Sequence, residues 1–268
     1  MFKKSNTGTA VLLVAIHLVL YPVAVSGQMT AEAAEIRVMS AFGIMAVMED
    51  IAPKFERASK HKLVITFDTF TRIVKRIQDG ETADVVVIPQ QGIDGFMKSG
   101  KAAAGNLTVI ARAGIGVAVR KGAPKPDISS PEALKRALLN AKSIAYPNPQ
   151  QGGPTGVHFN KMLDRLGIGN EMKPKTVFPK TPGGVEVGGL VARGEAEIGV
   201  HQIQELMPVA GIEIVGPLPG DLQNTYVFSA AVMTSARDVV ASKALIDFLH
   251  TPEATAVIKA KGMEPVGR

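Results

Sequence analysis

The hydrophobic pattern of the chain changes character near residue 35. Before that point, one apolar run covers residues 10–20, behind two lysines and ahead of a stretch of small residues. This order of positive charge, apolar core and small residues is typical of a cleavable secretory signal peptide. A membrane anchor would need about 20 apolar residues, and this run is shorter and is followed by Pro22. The pattern therefore predicts a signal peptide over residues 1–33 and no membrane span after its cleavage.

Beyond residue 35, short apolar runs alternate with amphipathic segments. Residues 85–88 are apolar throughout, which favours a parallel strand that is buried on both faces. The segment at 44–59 repeats its apolar residues at the spacing of a helix. The predicted elements of this half are strands at 36–39, 62–67 and 85–88 and helices at 44–59, 72–79 and 91–99. Such a β-α-β-α-β-α series predicts a parallel sheet with right-handed crossovers.

The alternation resumes in the second half of the chain. Its predicted elements are strands at 113–119, 143–146, 176–178, 197–201 and 225–233 and helices at 131–139, 157–167, 185–193, 239–249 and 252–261. The two β-rich crossings, at 113–119 and 225–233, are where two strands would connect two lobes. We therefore predict an α/β fold with two lobes of mixed or parallel sheet and a two-strand hinge. The predicted first lobe covers residues 34–115 and 225–268, and the second covers 116–224.

The composition argues against several classes of function. The chain has no cysteine, so it contains no disulfide and no thiolate nucleophile or metal ligand. Its net charge is +6, but the positive residues are scattered and only three tyrosines and no tryptophan accompany them. Binding to nucleic acid is therefore not expected. The five histidines form no pair at metal-binding spacing, and no complete dinucleotide or phosphate-loop motif is present. We expect neither a metal nor a cofactor.

Polar and small residues gather where the predicted strands end. The five strand-exit loops are residues 40–43, 68–71, 147–156, 181–184 and 201–204, and they are rich in Gly, Ser, Thr, Asn and Gln. In an open α/β sheet, ligands bind beyond the carboxyl ends of the strands, where helix N-termini offer unpaired N–H groups. Neutral hydroxyls, amides and N–H groups suit a small anion. The alternative is that these residues only form turns and helix caps.

Several of these segments carry a resemblance to a known family. They include Ser40-Ala-Phe-Gly43, Gly152-Gly-Pro-Thr-Gly156 and the stretch at 191–199. From residue 36 onward the chain resembles the periplasmic molybdate-binding proteins, which are type II extracytoplasmic solute-binding proteins of ABC transporters. The resemblance implies two lobes that close around a small anion, delivery to an ABC permease, a periplasmic location and a monomer.

The resemblance also indicates how the binding site departs from its relatives. Molybdate binders of this family use two serines at the first two strand exits and a tyrosine in the last loop. Gly43 and Phe70 stand where the serines are expected, and Gln202 stands where the tyrosine is expected. This departure implies either an oxyanion or an organic carboxylate as ligand. The predicted ligand-binding residues are Ser40, Gly43, Thr69, Phe70, Thr71, Thr155, Gly156, Gly184, His201 and Gln202.

A catalytic alternative stays open. The resemblance extends to a periplasmic aconitate isomerase, which implies that the fold can host proton transfer on a tricarboxylate. Such an enzyme needs a base and a carboxylate clamp, and we assign these roles to His201 and Arg72 respectively. Glu186, Asp68 and His158 are further candidates for proton transfer. Each of these residues also has a structural interpretation, as part of a solvated helix face or as a helix cap.

Overall fold

The computed structural model describes residues 1–2, 33–151 and 153–267. The predicted signal peptide lies almost entirely outside these residues. In the described part the strands are β1 (Glu35–Ala41), β2 (Lys62–Asp68), β3 (Val85–Pro89), β4 (Ala102–Arg120), β5 (Ile144–Ala145), β6 (Thr176–Val177), β7 (Ile198–Gln202), β8 (Ile212–Pro217), β9 (Thr225–Met233) and β10 (Glu264–Pro265). The helices are α1 (Met45–Ser59), α2 (Phe70–Gln78), α3 (Gln90–Lys98), α4 (Pro131–Asn140), α5 (Pro154–Arg165), α6 (Gly169–Met172), α7 (Gly184–Ala192), α8 (Ile203–Leu206), α9 (Val239–Phe248) and α10 (Pro252–Ala260).

The strands form one mixed sheet in the order β2-β1-β3-β9-β4-β7-β5-β6, and β8 and β10 both pair with β4. Strand β1 is parallel to β2 and β3, and β5 is parallel to β6 and β7. The all-apolar β3 is buried along its whole length, as expected for a strand that helices cover on both faces. From Ala33 onward the chain forms one compact unit.

The long strand β4 connects two groups of strands. Up to Gly114 it pairs with β9, and from Ile115 onward it pairs with β7 and β8. We call the group of β1–β3, β9, β10 and the start of β4 the first lobe, and the group of β5–β8 and the end of β4 the second lobe. The chain returns to the first lobe between Leu222 and Thr225. This architecture agrees with the predicted α/β class with two lobes, and the residue boundaries predicted for the lobes remain a prediction.

Some elements differ from the sequence-based expectation. The sheet of the first lobe is mixed rather than wholly parallel, because β9 lies antiparallel between β3 and β4. Helix α5 begins three residues before its predicted start, because Pro154 occupies the first helical position, for which its fixed φ is suited. Strand β8 was not predicted; its apolar residues Ile212, Ile214 and Val215 form only a short run that ends at Gly216 and Pro217, and the strand is half-buried along most of its length.

Helices begin directly at the carboxyl ends of the strands, and this arrangement positions the candidate site. A short 3-10 turn (Phe42–Ile44) follows β1 and leads into α1, which buries Val47, Met48, Ile51 and Phe55 against the sheet. Helix α2 begins two residues after β2 ends. The helix starts are therefore held at the carboxyl ends of these strands by the packing of the apolar faces behind them. Of the helices in the described ranges, none combines the length and apolar character that crossing a bilayer requires.

Candidate functional site

The strand-exit loops of both lobes line a cleft of about 80 Å³. The first lobe contributes residues 41–43 and 69–71 together with Pro89 and Phe228, and the second lobe contributes the loops after β5, β6 and β7. A buried water needs roughly 10–15 Å³ of such space. The cleft therefore holds roughly five to eight water-sized groups, which limits its occupant to a small molecule.

The structure brings most of the predicted residues together at this cleft. Its lining includes Gly43, Thr69, Phe70, Thr71, Thr155, His201 and Gln202. Ser40 is fully buried inside β1, with its hydroxyl 3.5 Å from the carbonyl oxygen of Ala41, and it does not line the cleft. Gly156 and Gly184 lie behind the lining, within the first turns of α5 and α7. Ligand contact by any of these residues remains a prediction.

Arg72 and the other charged candidates lie outside the lining of the cleft in the described structure. The side chain of Arg72 is 74% exposed and lies 3.8 Å from a carboxylate oxygen of Asp68. His158 Nε2 is 2.9 Å from the carbonyl oxygen of Leu222. Glu186 interacts with Arg193 on the surface of the second lobe. These residues therefore have structural partners, and a ligand clamp by Arg72 would require its side chain to turn towards the cleft.

Gly43 has a steric reason to be glycine. A Cβ atom at this position would lie 2.6 Å from Cζ of Phe228, which is fully buried. Real Cβ contacts are not this short, so a serine at position 43 would require the aromatic ring to move. Phe228 therefore explains why position 43 is a glycine and not the expected serine. This phenylalanine is on β9, in the middle of the sheet of the first lobe.

A chain of side-chain amides connects the two lobes beside the cleft. Gln202 Nε2 donates to Thr155 Oγ1 at 3.1 Å. Gln204 Nε2 donates to the Oε1 atom of Gln202 at 2.9 Å and to the carbonyl oxygen of Gly43 at 2.8 Å. Buried hydrogen bonds of this kind fix the orientation of each group, so the loop after β7 is held against the loop after β1.

His201 is buried at the end of β7 and lines the cleft. Burial lowers the pKa of His201, and the neighbouring Glu205 carboxylate opposes this shift only in part. The imidazole is therefore neutral at pH 7. Its Nδ1 atom accepts a hydrogen bond from the backbone N–H of Gln202 at 2.8 Å, whereas Glu205 Oε1 is 3.4 Å away, longer than an ordinary N–H···O bond. This geometry assigns the ring hydrogen to Nε2, which is then a hydrogen-bond donor.

Glu205 is a lining residue that was not identified from the sequence. Its Oε2 atom accepts from the backbone N–H of Gly184 at 3.0 Å, so the carboxylate caps the N-terminus of α7 and meets the positive end of that helix dipole. The signal was an acidic residue in the first turn of the short helix α8, directly after the strand-exit loop at 201–204. The glycines of the loop after β6 do not indicate that a side chain from another loop caps the helix that follows them.

The cleft offers donors without a full positive charge. Helices α2 and α5 begin at its wall, and neither has a side-chain cap, so their first N–H groups have no intrahelical acceptor. The hydroxyls of Thr69, Thr71 and Thr155 add further donors. No Lys or Arg belongs to the described lining, and within the described residues no three His, Asp or Glu side chains cluster as a metal ion would need. The arrangement suits a small anion that is held by dipoles.

Comparison with known proteins defines the class. Residues 36–264 match the bacterial extracellular solute-binding protein family, and the chain belongs to it. Its fold is also that of the periplasmic molybdate-binding protein of Azotobacter vinelandii, with a TM-score of 0.65 over 85% of this chain and 98% of that chain at 19% sequence identity. These matches confirm the predicted family and the type II binding-protein fold.

Two relatives with curated names are similar over most of their length. An aconitate isomerase from a Pseudomonas species is 35% identical over 236 residues, which cover 85% of this chain and 87% of that protein. The molybdate-binding protein ModA of Azotobacter vinelandii is 30% identical over 240 residues, covering 87% of this chain and 90% of that protein. The chain is therefore related both to a binding protein and to an enzyme.

Proposed function

We propose that this protein is a periplasmic solute-binding protein that captures a small anion, an oxyanion or a small organic carboxylate, and delivers it to an ABC permease. The signal peptide directs export, and the mature protein acts as a monomer. The observation that carries the proposal is the cleft itself, in which both lobes present neutral donors at the ends of their strands. Closure of the lobes around the ligand follows from its contacts with both of them, because a ligand stabilises the state in which it makes more contacts.

The tautomer of His201 favours binding over catalysis. With Nδ1 occupied by the N–H of Gln202, the Nε2–H group donates a hydrogen bond and cannot accept a proton. A donor at this position adds to the helix N-termini and hydroxyls around an anion. Glu205 does not repel the anion strongly, because its carboxylate is already engaged with the N-terminus of α7.

A thermal-shift and calorimetric screen tests the proposal. Molybdate, tungstate and sulfate should be compared with small mono-, di- and tricarboxylates. At 100 times its Kd, a true ligand adds about 2.7 kcal/mol to the free energy of unfolding, so we expect one anion to raise the Tm by roughly 5–10 °C in a chain of this size. No shift with any of these anions, in a protein that unfolds cooperatively, would refute anion capture.

Matched threonine variants locate the binding site. Thr71→Val keeps the side-chain shape and removes a hydroxyl from the cleft, and loss of a hydrogen bond to a charged ligand costs about 1.5–3 kcal/mol. We therefore expect affinity for the anion to fall about tenfold or more. Thr66→Val makes the same change on the exposed face of β2, away from the cleft, and should leave affinity unchanged. Equal affinities of the two variants would place the ligand elsewhere.

A second candidate, isomerisation of aconitate, is favoured by the buried neutral His201 and by the relative that is an aconitate isomerase. In this reaction a base takes an allylic proton from one carbon of the substrate and a proton returns to another carbon. His201 could act as that base through Nε2 only with its hydrogen on Nδ1, directed at Glu205 Oε1. Catalysis therefore requires the tautomer with its hydrogen on Nδ1. In that tautomer, Nδ1 no longer accepts the hydrogen bond from the Gln202 N–H.

Proton NMR of cis-aconitate mixed with the protein tests this candidate. If it is correct, trans-aconitate accumulates and His201→Asn abolishes the conversion. Because the pKa of His201 is lowered, the base stays unprotonated as the pH falls through about 6.5, the ordinary value for histidine. The rate should therefore stay constant from pH 8 to 6.5 and decline only below that range. Binding of aconitate without conversion would leave anion capture as the function.

A further inference from the structure

Apolar side chains form much of the wall of the cleft. Three of the ten phenylalanines of the chain, Phe42, Phe70 and Phe228, line it together with four prolines. None of these side chains can donate a hydrogen bond to an anion. The neutral donors therefore occupy only part of the wall, and a ligand that fills the cleft has to meet a phenyl surface as well.

Two of the rings occupy space that a glycine leaves open. A Cβ atom on Gly92, in the first turn of α3, would lie 2.5 Å from Cε2 of Phe70. The ring of Phe228 has the same relation to Gly43. A larger residue at either position would displace the ring, so the apolar wall of the cleft is part of the packing of the first lobe.

Phe70 lies directly beside the donors of the first lobe. It is the first residue of α2, and its neighbours Thr69 and Thr71 also line the cleft. The free N–H groups of this helix start and the two hydroxyls are therefore within a few residues of a half-buried phenyl ring. One small ligand can meet both surfaces when its charge is at one end and its hydrocarbon part is at the other.

The charge of the lining also limits the ligand. Glu205 is the only ionised side chain among the described lining residues, and it is an anion. An ionised group that loses its water needs a counter-ion or several hydrogen bonds in exchange. The neutral donors can serve one carboxylate. A second carboxylate, or the oxygens of a sulfate or molybdate ion that face the rings, would lose water without replacement.

We propose that the ligand is an organic acid with a single carboxylate and a short hydrocarbon chain, which packs against Phe70 and Phe228 while the carboxylate takes the neutral donors. This inference rests on the proposed capture of an anion and names the class of anion. The cleft holds roughly five to eight water-sized groups, and a carboxylate accounts for about three of them. The chain therefore has about two to five further carbon atoms.

Calorimetric titration with straight-chain acids tests the inference. The probes are the monocarboxylates from acetate to octanoate, with succinate, tricarballylate, sulfate and molybdate for comparison. Burial of one methylene group tightens binding about fourfold. We therefore expect the affinity to rise by about this factor with each methylene group after acetate, to fall again once the chain exceeds the cleft, and to exceed the affinity for every comparison anion.

Variants of Phe70 separate a ligand contact from a structural role. Phe70→Ala removes the ring, so the gain per methylene group should fall below about twofold, and the best acid should bind about tenfold more weakly. Acetate, which is too short to use the ring, should change little. Phe70→Leu keeps an apolar side chain and should keep most of the gain. Equal weakening of all the acids by Phe70→Ala would assign the ring a structural role and overturn its contact with the ligand.

Phe248→Ala is the matched control. Phe248 is a half-buried phenylalanine on α9 that packs against Phe55, and it does not belong to the lining of the cleft. Its loss removes the same ring elsewhere in the first lobe, so the dependence of affinity on chain length should stay as in the wild type.

The outcomes distinguish the two proposals. An affinity that does not depend on chain length overturns this inference and leaves anion capture intact. Tighter binding of succinate, tricarballylate or an oxyanion than of every monocarboxylate has the same consequence. If no acid and no oxyanion binds, the proposed function itself fails, and the inference fails with it.

Discussion

Replacing Asp84 by alanine should lower the free energy of unfolding by about 3 kcal/mol, the loss expected when one partner of a buried ion pair is removed. Asp84 is 1% exposed and precedes β3. Its carboxylate accepts from the backbone N–H of Arg37 at 2.7 Å, and from the backbone N–H and the Nη2 of Arg237 at 2.8 and 2.9 Å. It therefore connects β1, β3 and the segment after β9, and its loss leaves several donors unsatisfied.

Urea unfolding followed by circular dichroism measures the effect, since the chain has no tryptophan. Asp79→Ala is the matched control, because Asp79 makes an exposed ion pair with Lys75, and such pairs contribute little. Asp84→Asn keeps an acceptor oxygen and should fall between the wild type and Asp84→Ala. If Asp84→Ala and Asp79→Ala both unfold at the urea concentration at which the wild type unfolds, the Asp84 carboxylate does not stabilise the fold.

The contribution of Asp84 also depends on pH. Burial alone would raise the pKa of Asp84, but the hydrogen bonds from Arg237 and Arg37 outweigh it and lower the pKa below its ordinary value. A lowered carboxyl pKa stabilises the folded state fully above the ordinary value of about 3.9 and progressively less as the pH falls below it. The difference between wild type and Asp84→Ala should therefore be constant from pH 7 to 5 and shrink below pH 4.

Replacing Gly156 by alanine should cost about 2 kcal/mol of stability and weaken ligand binding, because it overpacks a contact that cannot yield. A Cβ atom there would lie 2.2 Å from the carbonyl oxygen of Pro147 and 2.9 Å from its carbon. Both are backbone atoms, so the start of α5 must move away from the loop after β5. That movement displaces Thr155 and Pro147, which line the cleft.

Gly95→Ala is the matched control for this variant. Gly95 lies inside α3, and no atom outside its own helix lies within 4 Å of the Cβ position. Alanine is the better helix former, so this change should raise the stability by about 0.5–1 kcal/mol. In urea unfolding, we expect the free energy of unfolding to fall for Gly156→Ala and to rise for Gly95→Ala. Calorimetry with the ligand should show weaker binding for Gly156→Ala. A Gly156→Ala protein with unchanged stability and affinity would mean that the contact at Pro147 relaxes freely.

The fold was largely predictable because its signals are local. The apolar run of β3 and the helical period of α1 are visible in a few residues each, and the structure has both elements. Strand β4 was predicted only from residue 113, whereas it begins at Ala102. Its first half contains small and polar residues, and it is a strand because β9 pairs with it from the far end of the chain.

The candidate site was only partly predictable, because its geometry comes from contacts between distant segments. Strand-exit positions identified Thr69, Thr155 and His201 in the cleft lining. The sequence cannot show that the ring of Phe228 fills the space beside Gly43, or that Glu205 caps a helix from another loop. The space that Gly92 leaves for the ring of Phe70 is likewise visible only in the folded chain.

Strand β9 comes late in the sequence, although it lies inside the sheet of the first lobe. It lies between β3 and β4, yet in the sequence it follows β1–β4 and every strand of the second lobe. Until residues 225–233 emerge, the inner edges of β3 and β4 have no partner, and exposed strand edges recruit other chains. The sheet of the first lobe therefore stays open until residues 225–233 pair with both edges, and any truncation before residue 225 removes the strand that closes it.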